Sequence, residues 1–399
     1  MMERIIFHID VNTAFLSWSA MDRLKRGEKI DLRCVPAVIG GDEATRSGIV
    51  LARSIVAKKY GIATPEPLYT ARKKCPGLIV IPPDFKLYEK CSNDLYNYLC
   101  NFSPDVIRSS IDECCLDMTG TYNLFGDPVK LAYRIKDEVK EKFGFTVNIG
   151  IGNNRLCAKM ASDLEKPDKV HTIFDNEIKT IMWPLPIEDL LMVGKKSSVV
   201  LRSIGINTIG DLATADMFLL RKYFKNGAQM MYNHANGIDD SLVEEYKAKN
   251  QSISNETTSI TDMIDKRDIE KVLLYLSNQV GSRLRKEGYY TRVVTLVLKN
   301  SLFESYSHQQ KLVNPINTNE DIYNITKELL EKGWKKDPIR LVGIRLSNFS
   351  NEGYKQISLF DEPTKKDNSK IQNAMDNLKE KYGSDIIKNA RLFDKKEGK

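Results

Sequence analysis

The apolar pattern between Ile5 and Ile151 constrains this chain more than any other feature. Ile5, Phe7 and Ile9 alternate as a strand that ends at Asp10. Far downstream, Tyr88, Cys91, Leu95, Leu99 and Phe102 recur at helical spacing. Val106-Ile107 opens a second strand ending near Ile111, and Leu116 and Met118 lie on the returning third. Asp127-Pro128 supplies the N-cap and first-turn proline of a helix with Val129, Ala132, Ile135, Val139 and Phe143 on one face. Gly144 stops it, and Phe145, Val147, Ile149 and Ile151 alternate as a fourth strand. The order β-α-β-β-α-β is the split βαβ arrangement of a ferredoxin-like sheet. Residues 11–73 interrupt it after the first strand, an insertion large enough to be a lobe of its own.

At 399 residues the chain is long enough for two to four domains. Residues 173–236 read as short helices broken by glycines, and 237–255 as a polar linker. From 256 to 348 the element order recurs, and we expect shared topology without sequence similarity. It comprises a strand near Ser259, a helix Ile269–Lys286, strands Thr291–Lys299 and Ser307–Leu312, a helix Ile322–Lys332 and a strand Leu341–Leu346. Residues 349–399 form a polar, lysine-rich tail with a helical pattern in Ile371, Met375, Leu378 and Tyr382. The fold class is α+β and multidomain.

Composition narrows the function classes. The net charge of +7 is compatible with a polyanionic partner without requiring one. The seven cysteines lack any CxxC pair and read as reduced core residues. Four scattered histidines leave little material for a zinc cluster or a Ser-His-Asp triad. No apolar run approaches the ~18 residues of a membrane span. The N-terminus lacks the apolar core of a secretory signal, so a cytoplasmic location is expected.

Chemistry concentrates in carboxylates. Asp10 ends the first strand, and Asp112-Glu113 occupies the tight connection between the second and third. If the first strand lies beside the one after its helix, all three converge at one sheet edge. Three carboxylates with no basic side chain beside them repel unless cations neutralise them. Oxygen-only ligands favour Mg²⁺ or Mn²⁺. Two such ions, roughly 3.5–4 Å apart, stabilise the attacking and leaving oxygens of a phosphoryl displacement. Taken singly, Asp112-Glu113 is a solvated turn and Asp10 a strand-end cap.

His8-Ile9-Asp10-Val11-Asn12, with Phe15 behind it, resembles the opening motif of the Y-family, or translesion, DNA polymerases. Ser110-Ile111-Asp112-Glu113 resembles their second catalytic motif, and the run from Asn154 to Pro167 a third. The likeness extends from residue 5 to about 360. It implies a right-hand architecture: a palm (1–10 and 74–172), inserted fingers (11–73), a helical thumb (173–236) and a little finger (256–348). It implies that Asp10, Asp112 and Glu113 bind two metal ions with the Val11 carbonyl. By the same resemblance Phe15 is the steric gate under the incoming sugar, although a lone Phe after a strand is ordinarily core. Lys166 contacts the nucleotide phosphates, and Lys159 supports the palm.

The fingers depart from the pattern of members resembling polymerase IV, where Tyr and Arg stand three residues apart. Here Ile55 and Lys58 hold those places, and the segment from Ala52 to Lys58 is closer to the catalytic subunit of polymerase V. Lys58, with Arg53 as a second candidate, is expected on the triphosphate. Val193-Gly194-Lys195 resembles a helix-hairpin-helix, which puts Gly194 and Lys195 on DNA phosphate. Arg283, Arg285, Lys286, Arg292 and Lys299 cluster in the last domain and are expected to track the DNA backbone. Gln356-Ile357-Ser358-Leu359-Phe360 resembles the bacterial sliding-clamp peptide, with Gln356, Leu359 and Phe360 as anchors; the alternative is a terminal strand.

The resemblance implies a template-directed DNA polymerase of the translesion class, acting on primer-template DNA and deoxynucleoside triphosphates. It implies a monomer, alone or with accessory subunits. The rivals are a non-catalytic DNA-binding relative that scaffolds another polymerase, and a palm-type nucleotidyl cyclase.

Overall fold

The computed structural model describes residues 4–244, 250–353, 369–383, 386 and 387. The chain divides into two compact units, residues 1–42 with 48–246 and residues 43–47 with 247–399.

The first unit opens with β1 (Ile6–Val11), α1 (Ala14–Lys25), β2 (Ala37–Gly40), β3 (Val50–Arg53), α2 (Ile55–Lys59), α3 (Leu68–Lys74) and β4 (Ile79–Ile81). It continues with α4 (Phe85–Leu99), β5 (Val106–Arg108), β6 (Glu113–Asp117), a short α5 (Tyr122–Phe125) and α6 (Pro128–Phe143). Then come β7 (Val147–Gly152), α7 (Arg155–Asp163) and β8 (Val170–Ile173). Helices α8 (Lys195–Ser203), α9 (Ile209–Ala213), α10 (Met217–Phe224) and α11 (Gly227–Ala235) follow.

The main sheet has the order β5-β6-β1-β7-β8. Its first four strands are antiparallel, and β8 adds to β7 in parallel. The expected neighbour of β1 was the strand after its helix; instead β1 lies between β6 and β7. The reason is burial. Cys114, Cys115 and Leu116 bury both faces of β6, which takes the inner place, whereas β5 is three residues long with Arg108 exposed.

Phe7, Ile9 and Val11 of β1 pack with Tyr88, Leu95 and Leu99 of α4 and with Ala132, Ile135 and Val139 of α6. Helix α6 starts as its sequence dictates, the Lys130 amide donating to Asp127 Oδ1 at 2.9 Å, and ends at Gly144 with φ +81°. On the other face, α7 lies on β1 and β7, where Ile6, Cys115 and Ala158 are buried together. The approach is close enough to exclude side chains. A methyl on Gly150 would overlap the Ala158 carbonyl oxygen and the Ser162 nitrogen, and one on Gly152 would stand 2.8 Å from Cys157 Cβ.

The inserted segment builds a sheet of order β3-β2-β4. Because β4 pairs with β2 in parallel, this lobe reaches Ile81 rather than stopping at 73. Helix α1 serves two cores: Ala14 and Trp18 face the main sheet, while Leu16 and Ala20 pack with Ala37 and Ile39 of β2. The linker is also shorter than expected. Val243 is buried against Ile6, Ile107, Cys115 and Ala158, and Asp239 accepts from the Leu156 amide at 3.1 Å. At its far end, Ser252–Asn255 already belong to a strand.

The second unit runs β9 (Ser252–Met263), α12 (Lys266–Lys286), β10 (Tyr290–Asn300), β11 (Ser305–Ile316), α13 (Asn319–Gly333) and β12 (Ile339–Ser350). The element order matches the first sheet, but the strand order β11-β10-β12-β9 does not. Here the hairpin's first strand, β10, is central and takes the buried Val294, Leu296 and Leu298; shared topology therefore fails. Helix α14 (Ser369–Tyr382) docks by polar groups, with Ile371, Leu378 and Tyr382 exposed.

Since the atoms nearest a Cβ at Gly150 are all backbone, no rotamer relieves the overlap. Gly150→Ala should destabilise the first unit by about 3 kcal/mol or block its folding. A thermal melt within 2 °C of wild type, an interval that corresponds to about 0.5–1 kcal/mol, would refute that contact.

Candidate active site

Asp10 and Glu113 are register partners on β1 and β6, so their side chains share one face, the face covered by α7. Asp112 lies in the turn before β6, and its carbonyl accepts from the Val11 amide at 3.0 Å. Its carboxylate Oδ1 accepts from Ser110 Oγ at 2.6 Å. Val11 itself is buried.

The expectation of carboxylates without basic neighbours is overturned. Lys159 Nζ stands 2.7 Å from Glu113 Oε1 and 3.3 Å from Asp10 Oδ2. Lys166 Nζ stands 2.7 Å from the same Asp10 oxygen. Among the described residues, no three acidic, histidine or cysteine side chains are gathered closely enough to hold an ion as they stand. The donor chemistry nevertheless suits a hard divalent cation, because Asp10, Asp112 and Glu113 offer oxygens alone at one sheet edge.

The electrostatics follow from burial. Desolvation raises the Glu113 carboxyl, Lys159 opposes it, and the Asp10 and Asp112 charges reinforce it. Desolvation works against the Lys159 ammonium, but its bond to Glu113 and the charges of Asp163 and Asp10 outweigh that and hold it above the usual lysine range. Lys166 is raised too, Asp10 outweighing its desolvation. His8, on the same face, is pushed down to about 3 by burial and by Lys159.

A pair of buried asparagines, whose role the sequence reading missed, fixes this edge. Asn12 Nδ2 donates to Asn148 Oδ1 at 3.0 Å, and Asn12 Oδ1 accepts from Thr146 Oγ1 and the Asp168 amide, each at 2.9 Å. Asn148 Nδ2 donates to the carbonyls of Ser162 and Glu165 at 3.1 and 2.6 Å. The loop carrying Lys166 is thereby tied to the strand end carrying Asp10. The available signal was Asn148 itself, a polar residue inside the Val147–Ile151 alternation.

Phe15 is half-buried on the first turn of α1 and stacks on Tyr88, with ring centroids 4.5 Å apart and planes 10° apart. Phe85 meets it edge-on at 6.2 Å. Arg53 donates to the Ile62 carbonyl within the inserted lobe, so its guanidinium has structural work there. Lys58 is exposed near the end of α2. Gly194 caps α8 and Lys195 begins it, both exposed.

In the second unit, the DNA-contact expectation fails for Arg285. Its side chain is 6% exposed, 2.7 Å from Asp376 Oδ2, and donates to the Asn317 carbonyl at 2.6 Å and Asn319 Oδ1 at 2.9 Å. Lys286 pairs with Glu380 at 3.1 Å. Arg283 remains exposed, donating to the Ser254 carbonyl at 3.3 Å, and Arg292 is partly exposed. Cross-strand register aligns Lys299, Lys311 and Arg345 with Ser254, Thr295 and Ser307 on the sheet face opposite α12 and α13. Gln356, Leu359 and Phe360 lie outside the described residues.

The geometry belongs to a known class. Residues 9–163 match the impB/mucB/samB family and residues 250–359 match the impB/mucB/samB family C-terminal domain. "DNA polymerase IV" of Clostridium acetobutylicum is 45% identical over 397 residues, 99% of this chain and 100% of that protein. "DNA polymerase IV 1" of Bacillus subtilis is 32% identical, over 99% of this chain and 95% of its own length. A solved "Y-family DNA polymerase chimera Dbh-Dpo4(243-245)-Dbh" has the same fold, with TM-score 0.75 and 23% identity over 86% of this chain and 98% of that one. The chain is a member of the impB/mucB/samB family. Its Ile55 and Lys58 thus sit in a chain whose full-length relatives carry the polymerase IV name.

Arg285→Ala would leave Asp376 unpaired at a largely buried contact. It should cost the second unit about 3 kcal/mol and leave the salt dependence of DNA affinity unchanged. Arg283→Ala should instead reduce that salt slope by ~1 without a change in melting. An equal slope change in both variants would show that Arg285 reaches DNA.

Proposed function

We propose that this chain is a template-directed DNA polymerase of the translesion class, extending a primer 3′-hydroxyl with deoxynucleotides in damage bypass. The observation that carries the reading is the Asp10–Glu113 register pair with Asp112 in the adjoining turn, in a chain whose full-length relatives are named DNA polymerase IV. On this reading the main sheet is the palm, β2–β4 with α2 and α3 the fingers, α8–α11 the thumb, and the second unit the little finger.

Asp10, Asp112, Glu113 and the Val11 carbonyl would hold two Mg²⁺ ions, with Mn²⁺ as a substitute. When bound, they supply charge stabilisation for the attacking oxygen and the departing pyrophosphate. The chain's own residues do the positioning. Lys166, 2.7 Å from Asp10 Oδ2, is placed to neutralise a triphosphate at the same carboxylate, and Lys58 presents a further charge from the fingers. Phe15, held flat against Tyr88, is the sugar gate. The backbone at Gly194 and Lys195, with Arg283 and Arg292, contacts phosphates of primer-template DNA without reading sequence. Gln356, Leu359 and Phe360 bind a sliding clamp. Loss of all three carboxylates would suit a DNA-binding scaffold; this chain keeps them. We infer a cytoplasmic monomer that acts alone or with accessory subunits; among the described residues, no helix is long and apolar enough to cross a membrane.

Asp112→Asn should abolish primer extension, roughly a thousandfold or more, while DNA affinity stays near wild type. Extension within ~10-fold of wild type would remove Asp112 from the reaction.

Phe15→Ala separates gate from core. Loss of a flat wall against a 2′-hydroxyl should shift selectivity toward ribonucleotides by at least ~100-fold, about 2.7 kcal/mol. A ring that only packs on Tyr88 would, when truncated, lower the melting temperature and reduce kcat/KM for both sugars alike.

A further inference from the structure

Asp163 ends α7, four residues after Lys159 and three before Lys166. Its carboxylate is 3.1 Å from Lys159 Nζ and 2.8 Å from Lys166 Nζ. The same two ammonium groups stand on Asp10 Oδ2, and Lys159 also on Glu113. Two cations are therefore shared among three carboxylates.

Helix stability does not account for Asp163. An acid in the last turn faces the negative end of the helix dipole, and a Lys-to-Asp order at i,i+4 is the weaker orientation. What Asp163 does offer is a second acceptor. A divalent cation arriving at Asp10 and Glu113 meets two ammonium groups on the same oxygens, and like charges at that range repel strongly. Ion entry is thus an exchange in which the lysines must withdraw. Lys159, with 16% of its side chain exposed, needs another carboxylate to withdraw to; Lys166 is more open to water, and Asp163 already touches both.

We propose that Asp163 is a positioning residue that takes over Lys159 and Lys166 when Asp10 and Glu113 turn to a divalent cation, leaving Lys166 aimed at the nucleotide phosphates. This rests on the metal assignment proposed above. Asp163 then acts on the reaction only through the two lysines.

The test is Mn²⁺ binding to the full chain, read from the free-ion paramagnetic resonance signal, beside single-nucleotide kinetics. Asp163→Asn should weaken Mn²⁺ binding roughly tenfold and raise the KM for a deoxynucleotide more than it lowers kcat. Asp163→Glu should recover most of both, with melting temperatures unchanged. In a Lys159→Met/Lys166→Met background the same Asp163→Asn change should alter Mn²⁺ binding less than about twofold, since its partners are gone. If that background does not fold, Lys166→Gln alone should remove about half of the Asp163 effect. An undiminished effect in either background means that Asp163 acts by its own charge, and overturns the inference. So does unchanged binding in Asp163→Asn. Asp10→Asn separates the two levels: Mn²⁺ retained there overturns the metal assignment and this inference with it. Loss there, with Asp163→Asn unaffected, overturns this inference alone.

Discussion

Charge neutralisation at one sheet edge governs the first unit. Asp10 and Glu113 face α7 from adjacent strands, and such a pair is tolerable only with cations beside it. Lys159 and Lys166 supply them at 2.7 Å each, to Glu113 and to Asp10. That requires α7 to lie almost on the backbone of β7, which is why Gly150 and Gly152 alternate with Ile149 and Ile151. The strand keeps apolar groups toward α4 and α6, and toward α7 it presents Gly150 and Gly152 with Asn148 as the one side chain, bonded to the Ser162 carbonyl. Asn12 and Asn148 complete the arrangement by tying the Lys166 loop to the end of β1.

The inserted lobe is attached by the same logic of shared faces. Helix α1 begins three residues after Val11 and buries one side in each of two cores. Phe15 sits at that junction, and Tyr88 fixes its plane. A ring locked in this way can act as a wall, since neither α1 nor α4 can move without disturbing the main sheet.

The second unit shows how far element order falls short of topology. Both sheets read β-α-β-β-α-β, yet their hairpins insert in opposite senses, because burial rather than sequence order selects the inner strand. The same lesson applies to Arg285. Its neighbours Arg283 and Lys286 are surface cations, but Arg285 points inward to Asp376, Asn317 and Asn319. Charge clustering in a sequence says nothing about which member faces solvent.

The sequence by itself determined the element order of the two β-α-β-β-α-β segments, the caps of α6 at Asp127 and Gly144, and the three carboxylates near strand ends. Those are local signals of period, turn chemistry and residue type. The register pairing of Asp10 with Glu113, the lysines among the carboxylates, the Asn12–Asn148 tie and the burial of Arg285 were decided only by the tertiary structure. Each joins residues far apart in sequence, and a side chain's partner across such a distance is set by which faces pack together, a property no local pattern encodes.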